Sequence, residues 1–461
     1  MLATFLFSTS RSTLFTFPTN LPFLVYTGNL FRDVTRSSIL FLLPALSEIE
    51  YEIPVLKCDG VRRFIQKNYL LTELSWIVMR FPEKPRKWGE VKREIYRIRE
   101  KDISFSRILG TMCAKPEENL KKIYMDFLET NLGDPRKFPG TKEIEDKLTG
   151  MVLDLFSAPK SAGCRVVSGG TEGNMLAVAI ARNMKGGEEL LIPEHAHFSF
   201  QKIAKIADIK IRVIETSRNH VINPHDVLKN ITDKTFGVVA VAGTTELGLI
   251  DPVPDISDIC FDNNLFLHVD AAFGGFIIPF LKDLGHDLPD FDFKLKGVST
   301  IVADGHKMGG CAIPLGFLMV RDKEWFRYIE VETPYVSTRY QSTFLGTRSG
   351  GPVAYGYAKF NLLGREGFRE TARRCMELTM YAKRKLEEKG FKIFMEPVLN
   401  VLAVVVKDVD RVIEKLYEGG WGVNPIRKLS SFRIVIQPHM SKEIIDKFVE
   451  DLEYVYKEVK T

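Results

Sequence analysis

Between about residues 160 and 330, short β-branched runs alternate with amphipathic segments, and this restricts the chain to few architectures. The runs CRVVSG, ELLIPE, IRVIE, FGVVAVAG, LFLHVD, STIVAD and LGFLMV read as strands. Between several of them lie helical stretches such as TEGNMLAVAIARNM and HDVLKNITDK. This alternation predicts an α/β domain with a mostly parallel seven-stranded sheet and its ligand at the carboxyl edge of the strands. After about residue 352 the pattern changes to a long helical region, strands FKIFME, LNVLAVVVK and FRIVIQP, and a closing helix. That reads as a smaller α+β domain. The expected organisation is an N-terminal segment at 79–135, a large domain at 136–355 and a small C-terminal domain at 356–461.

Residues 1–78 have another character. They are rich in Phe, Leu, Ser and Thr, poor in acids, and their apolar runs are broken by Pro, Ser, Thr and Arg. No window reaches the roughly 18 unbroken apolar residues that a membrane span needs. From Met79 the chain turns charged and helical in pattern, so Met79 is the expected natural start and 1–78 an over-long reading frame or an extension. A membrane-associating leader is the rival reading. Over the whole chain, 45% apolar and 27% charged residues describe a soluble globular protein. The net charge of +5 is spread among acids, which argues against a nucleic-acid partner. The six cysteines form no C-x-x-C pair, so neither a zinc ribbon nor a disulfide framework is expected, and a cytoplasmic location suits them.

Four stretches end a strand or open a helix, and all can meet at one sheet edge. In VVSGGTEGN, Gly169 and Gly170 allow close backbone approach and Thr171 can cap the next helix, whose free N–H groups suit a phosphate. In PEHAHFSF, His195 and His197 stand two apart, compatible with a metal, a stacked planar ligand or a plain loop histidine. In LFLHVDAAFGGF, Asp270 ends a buried run, where an acid calls for a cation or a protonated nitrogen; a helix cap is the ordinary alternative. In IVADGHKMGG, Lys307 follows His306 among glycines, so its amine can reach inward and act as a nucleophile towards an aldehyde, although a solitary turn lysine is usually solvated.

Together, in this order, these groups are what pyridoxal 5'-phosphate requires. The helix N-terminus at Gly170 and Thr171 takes the phosphate, Lys307 the aldehyde and Asp270 the pyridinium nitrogen. The His197 ring stacks on one face, Ala272 packs on the other, and Thr244 or Thr245 can reach the 3-oxygen. No metal is needed.

SGGTEGN, AHFSF, GTTELGLIDPV, HVDAAFGGF, DGHKMG and FLGTRSGG…LLGREG resemble the group II pyridoxal-phosphate amino-acid decarboxylases of fold type I. LETNLGDPRKFPGTKEIE and GTMCAKP are most similar to the archaeal tyrosine or aspartate decarboxylase branch, and the resemblance runs from about Met79 to the C-terminus. It implies that Lys307 carries the Schiff base, Asp270 pairs with the pyridinium, His197 stacks and Gly170 with Thr171 hold the phosphate. It makes His306 a phosphate or substrate contact. It also implies a homodimer with a shared site, in which Thr347 and Arg348 approach the phosphate across the interface and a loop tyrosine, Tyr335 or Tyr340, protonates the carbanion left by decarboxylation. Arg348 and Arg433 are the candidates for a substrate carboxylate.

The implied reaction is α-decarboxylation of an L-amino acid: L-aspartate to β-alanine, a coenzyme A precursor, with L-glutamate or L-tyrosine (to tyramine) as further substrates. The alternatives are a carbon–carbon lyase or cysteine desulfurase of the same fold, or a metal-dependent hydrolase using His195, His197, Asp270 and His306.

Overall fold

The computed structural model describes residues 81–460, so the expectations for 1–78 and for a start at Met79 lie outside the described residues. The chain divides into two compact units, Met1–Arg99 and Glu100–Thr461. The described part of the first is a solvated helix, Trp88–Arg99, with Arg86 paired to Glu94 at 2.5 Å.

In the second unit the seven expected strands form one sheet in the order β1-β7-β6-β5-β4-β2-β3. They are β1 Gly163–Val167, β2 Glu189–Pro193, β3 Lys210–Ile214, β4 Thr235–Val241, β5 Phe266–Asp270, β6 Val298–Asp304 and β7 Gly316–Val320. Strands β3, β2, β4, β5 and β6 run parallel, while β7 is antiparallel to both its neighbours. Helices cover both faces, so β4 to β7 are buried throughout and read as continuous apolar runs. Alternate residues feed two cores: Phe317 and Met319 pack on one face, Leu318 and Val320 on the other.

The antiparallel strand has a consequence for the site. Gly316, the first residue of β7, pairs with Val167 at the end of β1 and with Asp304 at the end of β6. The carboxyl ends of β1 and β6 therefore flank one residue, and the segments that follow them are brought together.

A second, antiparallel sheet is ordered β10-β11-β13-β12, with β10 Lys392–Ile393, β11 Val401–Val405, β12 Asn424–Ile426 and β13 Ser431–Val435. Strand β12 was not expected; it is three residues long, contains Pro425 and lies at the edge, where a missing N–H is tolerated. The helical region Gly351–Glu388 holds the boundary drawn at 355/356, and it kinks at Gly364, whose φ of 54° and ψ of −174° suit only glycine. A short hairpin, β8 Val331–Glu332 with β9 Tyr340–Gln341, precedes it. The segment Ile108–Ala114 ties the small sheet to the Lys307 turn: Val435 N donates to Leu109 O at 2.7 Å, and Ala114 N to His306 O at 3.0 Å. No helix among the described residues is long and apolar enough to cross a membrane.

Candidate active site

The turn after β6 is built on close backbone approach. Lys307 N donates to Asp304 O, Gly310 N to Lys307 O and Cys311 N to Gly305 O, at 3.2, 3.0 and 2.9 Å. A Cβ on Gly309 would stand 2.5 Å from the Gly305 carbonyl oxygen, so the turn needs glycine there. The fold turns Lys307 inward, with Nζ 3.1 Å from Asp304 Oδ2. Asp304 is 2% exposed, and its Oδ1 has no hydrogen-bond partner among the described residues. His306 stands beside it, Nδ1 2.8 Å from the Leu315 carbonyl and Nε2 3.6 Å from Asp304.

Opposite, β1 passes through Ser168 and Gly169 into the helix Gly170–Lys185, whose first N–H groups have no intrahelical acceptor. A Cβ on Gly170 would lie 3.1 Å from the Ala272 methyl and 3.3 Å from Asp304 Oδ2. Asp270, at the end of β5, is 5% exposed and accepts from Asn174 Nδ2 at 2.9 Å and from Ala272 N at 3.1 Å. His197 is half-buried, and its Nδ1 accepts from Ser199 N at 3.2 Å, which leaves Nε2 for the hydrogen of the neutral ring. Burial pushes its pKa below the ordinary histidine value; Lys307 adds to this, while Asp270 and Asp304 oppose it.

These groups enclose one cavity of about 380 Å³, a size suited to a small ligand. Gly170, Thr171, His197, Thr245, Asp270, Ala272, His306 and Lys307 all line it. So do Asp304, Asn174, Cys113 and Ile313, which received no site role from the sequence. Asp304 lay within the very stretch that suggested Lys307, and only the folded turn reveals its pairing. Burial raises the Cys113 thiol pKa, against the pull of Lys307. A larger groove of about 1190 Å³ runs along the second half of the long helix, and none of these residues lines it.

Other expected residues lie outside this cavity. Tyr335 is 89% exposed and Tyr340 47%, and neither lines it; Thr347 does not either. Arg348 is turned into its own chain, donating to Glu145 Oε1 at 2.6 Å and to the Leu132 carbonyl at 3.1 Å, and it does not line this cavity. Arg433 is 9% exposed and donates to the carbonyls of Thr245 and Gly110, one shell behind the cavity wall. Burial lowers its pKa to about 10, with Glu246 opposing. Thr244 is spent internally, its hydroxyl accepting from Leu249 N at 2.9 Å. His195 pairs with fully buried Asp251 at 3.1 Å and does not line the cavity, so of the four groups of the metal reading it does not join His197, Asp270 and His306 there. Among the described residues no cluster of three or more ligand-type side chains could hold a metal ion.

The cavity suits pyridoxal phosphate on its own terms. It has an anion seat at a helix N-terminus, an amine beside it, a buried carboxylate with its orientation tied, and flat walls at Ala272 and His197. Comparison with known proteins agrees. Residues 126–407 match the family model described as the pyridoxal-dependent decarboxylase conserved domain. The chain is 44% identical over 351 residues to a probable L-tyrosine/L-aspartate decarboxylase of Methanothermobacter thermautotrophicus, covering 75% of this chain and 96% of that protein. It is 40% identical over 384 residues to the L-aspartate decarboxylase of Thermococcus kodakarensis, covering 82% and 99%. Among solved structures, the glutamate decarboxylase of Lactobacillus brevis superposes with a TM-score of 0.76 at 23% identity, over 83% of this chain and 95% of that one, which speaks to the fold. A lysine turn, an acid-ended strand and a glycine helix start meeting at one sheet edge thus have a common explanation: the chain belongs to the pyridoxal-dependent decarboxylases, and its cofactor is pyridoxal phosphate.

Proposed function

We propose that this protein removes the α-carboxylate of L-aspartate to give β-alanine, using pyridoxal phosphate held covalently by Lys307. The observation that carries this reading is the shared lining of one cavity by Lys307, Asp270, His197 and the Gly170–Thr171 helix start. When bound, the cofactor supplies an aldehyde for the amine and a ring that takes up the electron pair of the broken bond. The chain does the rest. The N–H groups at Gly170 and Thr171 seat the phosphate, with His306 beside them, and Asp270 keeps a proton on the ring nitrogen. Ala272 and the His197 ring clamp the ring faces, and Thr245 stands at its edge. Lys307 would hold the cofactor's aldehyde, and as a free amine it has Asp304 as counter-ion at 3.1 Å.

His197 is neutral at neutral pH, so it is equipped to carry a proton towards Cα. Tyr335 or Tyr340 serves the same step from a second copy of the chain, because neither lines the cavity of its own subunit. Thr347 and the backbone at Arg348 approach the phosphate of that second copy. A homodimer is further supported near Tyr124, which bonds the Ile313 carbonyl at 3.4 Å and beside which Met125, Leu128 and Ile313 leave apolar side chains exposed. Arg433 receives a substrate carboxylate if it gives up one of its two carbonyl partners. Aspartate is favoured by the names of the archaeal relatives, with glutamate and tyrosine as lesser substrates. We assign the enzyme to the cytoplasm and its β-alanine to coenzyme A synthesis.

Borohydride reduction of the cofactor-loaded protein, followed by peptide mapping, is expected to place the label on Lys307. Turnover should yield CO₂ and amine from aspartate faster than from glutamate or tyrosine. An aldehyde or persulfide product would instead establish the lyase or desulfurase chemistry open to the same fold.

A further inference from the structure

Beneath the Gly170–Lys185 helix a chain of buried polar groups ends on Asp270, and none of these roles uses its other members. His268 and Asp270 stand two apart on β5 and so share one face of the sheet. Thr300 is the residue opposite His268 on β6. Thr300 Oγ1 lies 2.9 Å from His268 Nδ1, and His268 Nε2 lies 2.9 Å from Asn174 Oδ1. Asn174 Nδ2 in turn donates to Asp270 Oδ2 at 2.9 Å and to Ser199 Oγ at 3.1 Å. Every member is at least 95% buried, so bulk water does not replace a lost partner.

The proton positions follow from the donor inventory. As a carboxylate, Asp270 only accepts, so Asn174 presents its amide nitrogen to it and its oxygen to His268. His268 Nε2 must then donate, which leaves Nδ1 to accept from the Thr300 hydroxyl. Burial keeps this imidazole neutral, with its pKa lowered to about 4. The bonds thus run one way, from Thr300 to the carboxylate. Ala272 N ties the other carboxylate oxygen at 3.1 Å, so both oxygens are pinned and the carboxylate plane is fixed.

We propose that Asn174 and His268 are positioning residues for the cofactor: Asn174 fixes the plane of the Asp270 carboxylate against the ring nitrogen, and His268 fixes Asn174. This rests on the pairing of Asp270 with that nitrogen proposed above. A carboxylate free to turn leaves the ring-nitrogen proton poorly paired, and the ring then draws electrons less strongly. Substrate binding, which depends on other contacts, is left nearly intact.

The test compares His268→Phe, which keeps a ring but no donor, with His268→Gln, which keeps an N–H for Asn174. Each is loaded with pyridoxal phosphate labelled with ¹⁵N in the ring. In His268→Phe the ring-nitrogen resonance should move towards its unprotonated position, and kcat for aspartate should fall about tenfold with KM within about twofold. His268→Gln should recover most of both. Asp270→Ala is the control for the underlying reading. If its ring-nitrogen resonance matches wild type, the pairing itself fails. If Asp270→Ala shifts the resonance while folded His268→Phe does not, only the relay is overturned. Should His268→Phe not fold, the wild-type protein decides: a His268 ¹⁵N spectrum with the hydrogen on Nε2 supports the relay, and one with it on Nδ1 refutes it.

Discussion

Lys307 Nζ and Asp304 Oδ2 lie 3.1 Å apart across the turn that ends β6, with Asp304 almost wholly buried. Breaking a buried pair by removing one partner costs roughly 3–5 kcal/mol, and the partial exposure of Lys307 argues for less here. The cost falls on the form in which Lys307 carries a free ammonium. Asp304→Asn is therefore expected to lower the melting temperature of the cofactor-free protein more than that of the loaded protein. Equal losses in thermal scans of the two forms would mean that Asp304 serves only the fold.

His197 offers two separable properties, a flat ring and a titrating nitrogen. His197→Phe retains the first and loses the second. We expect it to hold pyridoxal phosphate through dialysis, as judged by visible absorbance, while turnover falls by about 10²-fold, the usual scale of a single acid–base group. His197→Ala should lose both cofactor and turnover. Wild-type turnover in His197→Phe would transfer proton delivery to another group, with the loop tyrosines first in line.

Acid stability follows from the buried imidazole of His268. Its folded pKa is near 4, below the ordinary 6.5, so between these values the unfolded chain binds a proton that the folded protein refuses. Stability is therefore full above pH 6.5 and is lost as pH falls towards 4. The 2.5-unit gap corresponds to roughly 3 kcal/mol. Burial depresses His197 in the same direction. Urea unfolding at pH 7 and pH 4.5 should show most of this loss in wild type and a smaller one in His268→Gln. An identical acid limb in the variant would assign the loss to other groups.

Gly316 is where β1, β6 and β7 meet. A Cβ there would stand 2.7 Å from Gly169 Cα and 2.7 Å from Asp304 Oδ1, so backbone at the glycine turn after β1 must move. Overpacking of this kind costs about 1–3 kcal/mol. Gly316→Ala should weaken pyridoxal phosphate binding by about tenfold or more in a spectroscopic titration, whereas Gly140→Ala, with nothing within 4 Å, should bind as wild type. Unchanged binding in Gly316→Ala would show that the turn absorbs the extra methyl.

Much of this was legible before folding. All seven strands of the large sheet are legible as β-branched runs: β4 to β7 because strands buried on both faces are apolar without interruption, and the largely exposed edge strand β3 through its β-branched residues alone. Three short elements were not: β12 has three residues and a proline, and β8 and β9 two residues each, too few for any period to show. The kink at Gly364 was also invisible, since helical patterning continues on both sides of it. The pairing of Arg348 with Glu145 was not legible either, because the two stand 203 positions apart.

Local sequence alone determined which residues stand at strand ends, and hence that Gly170, Asp270 and Lys307 could meet at one edge. Runs of β-branched residues and turn chemistry are written within a few neighbouring residues. Only the tertiary structure decided that β7 runs antiparallel between β1 and β6, setting the Gly169–Gly170 turn against the Asp304–Lys307 turn. It also decided that Asn174, 96 positions before Asp270, orients that carboxylate. Such pairings come from burying both faces of the sheet and satisfying every polar group caught inside, a constraint on the whole chain at once that no short stretch records.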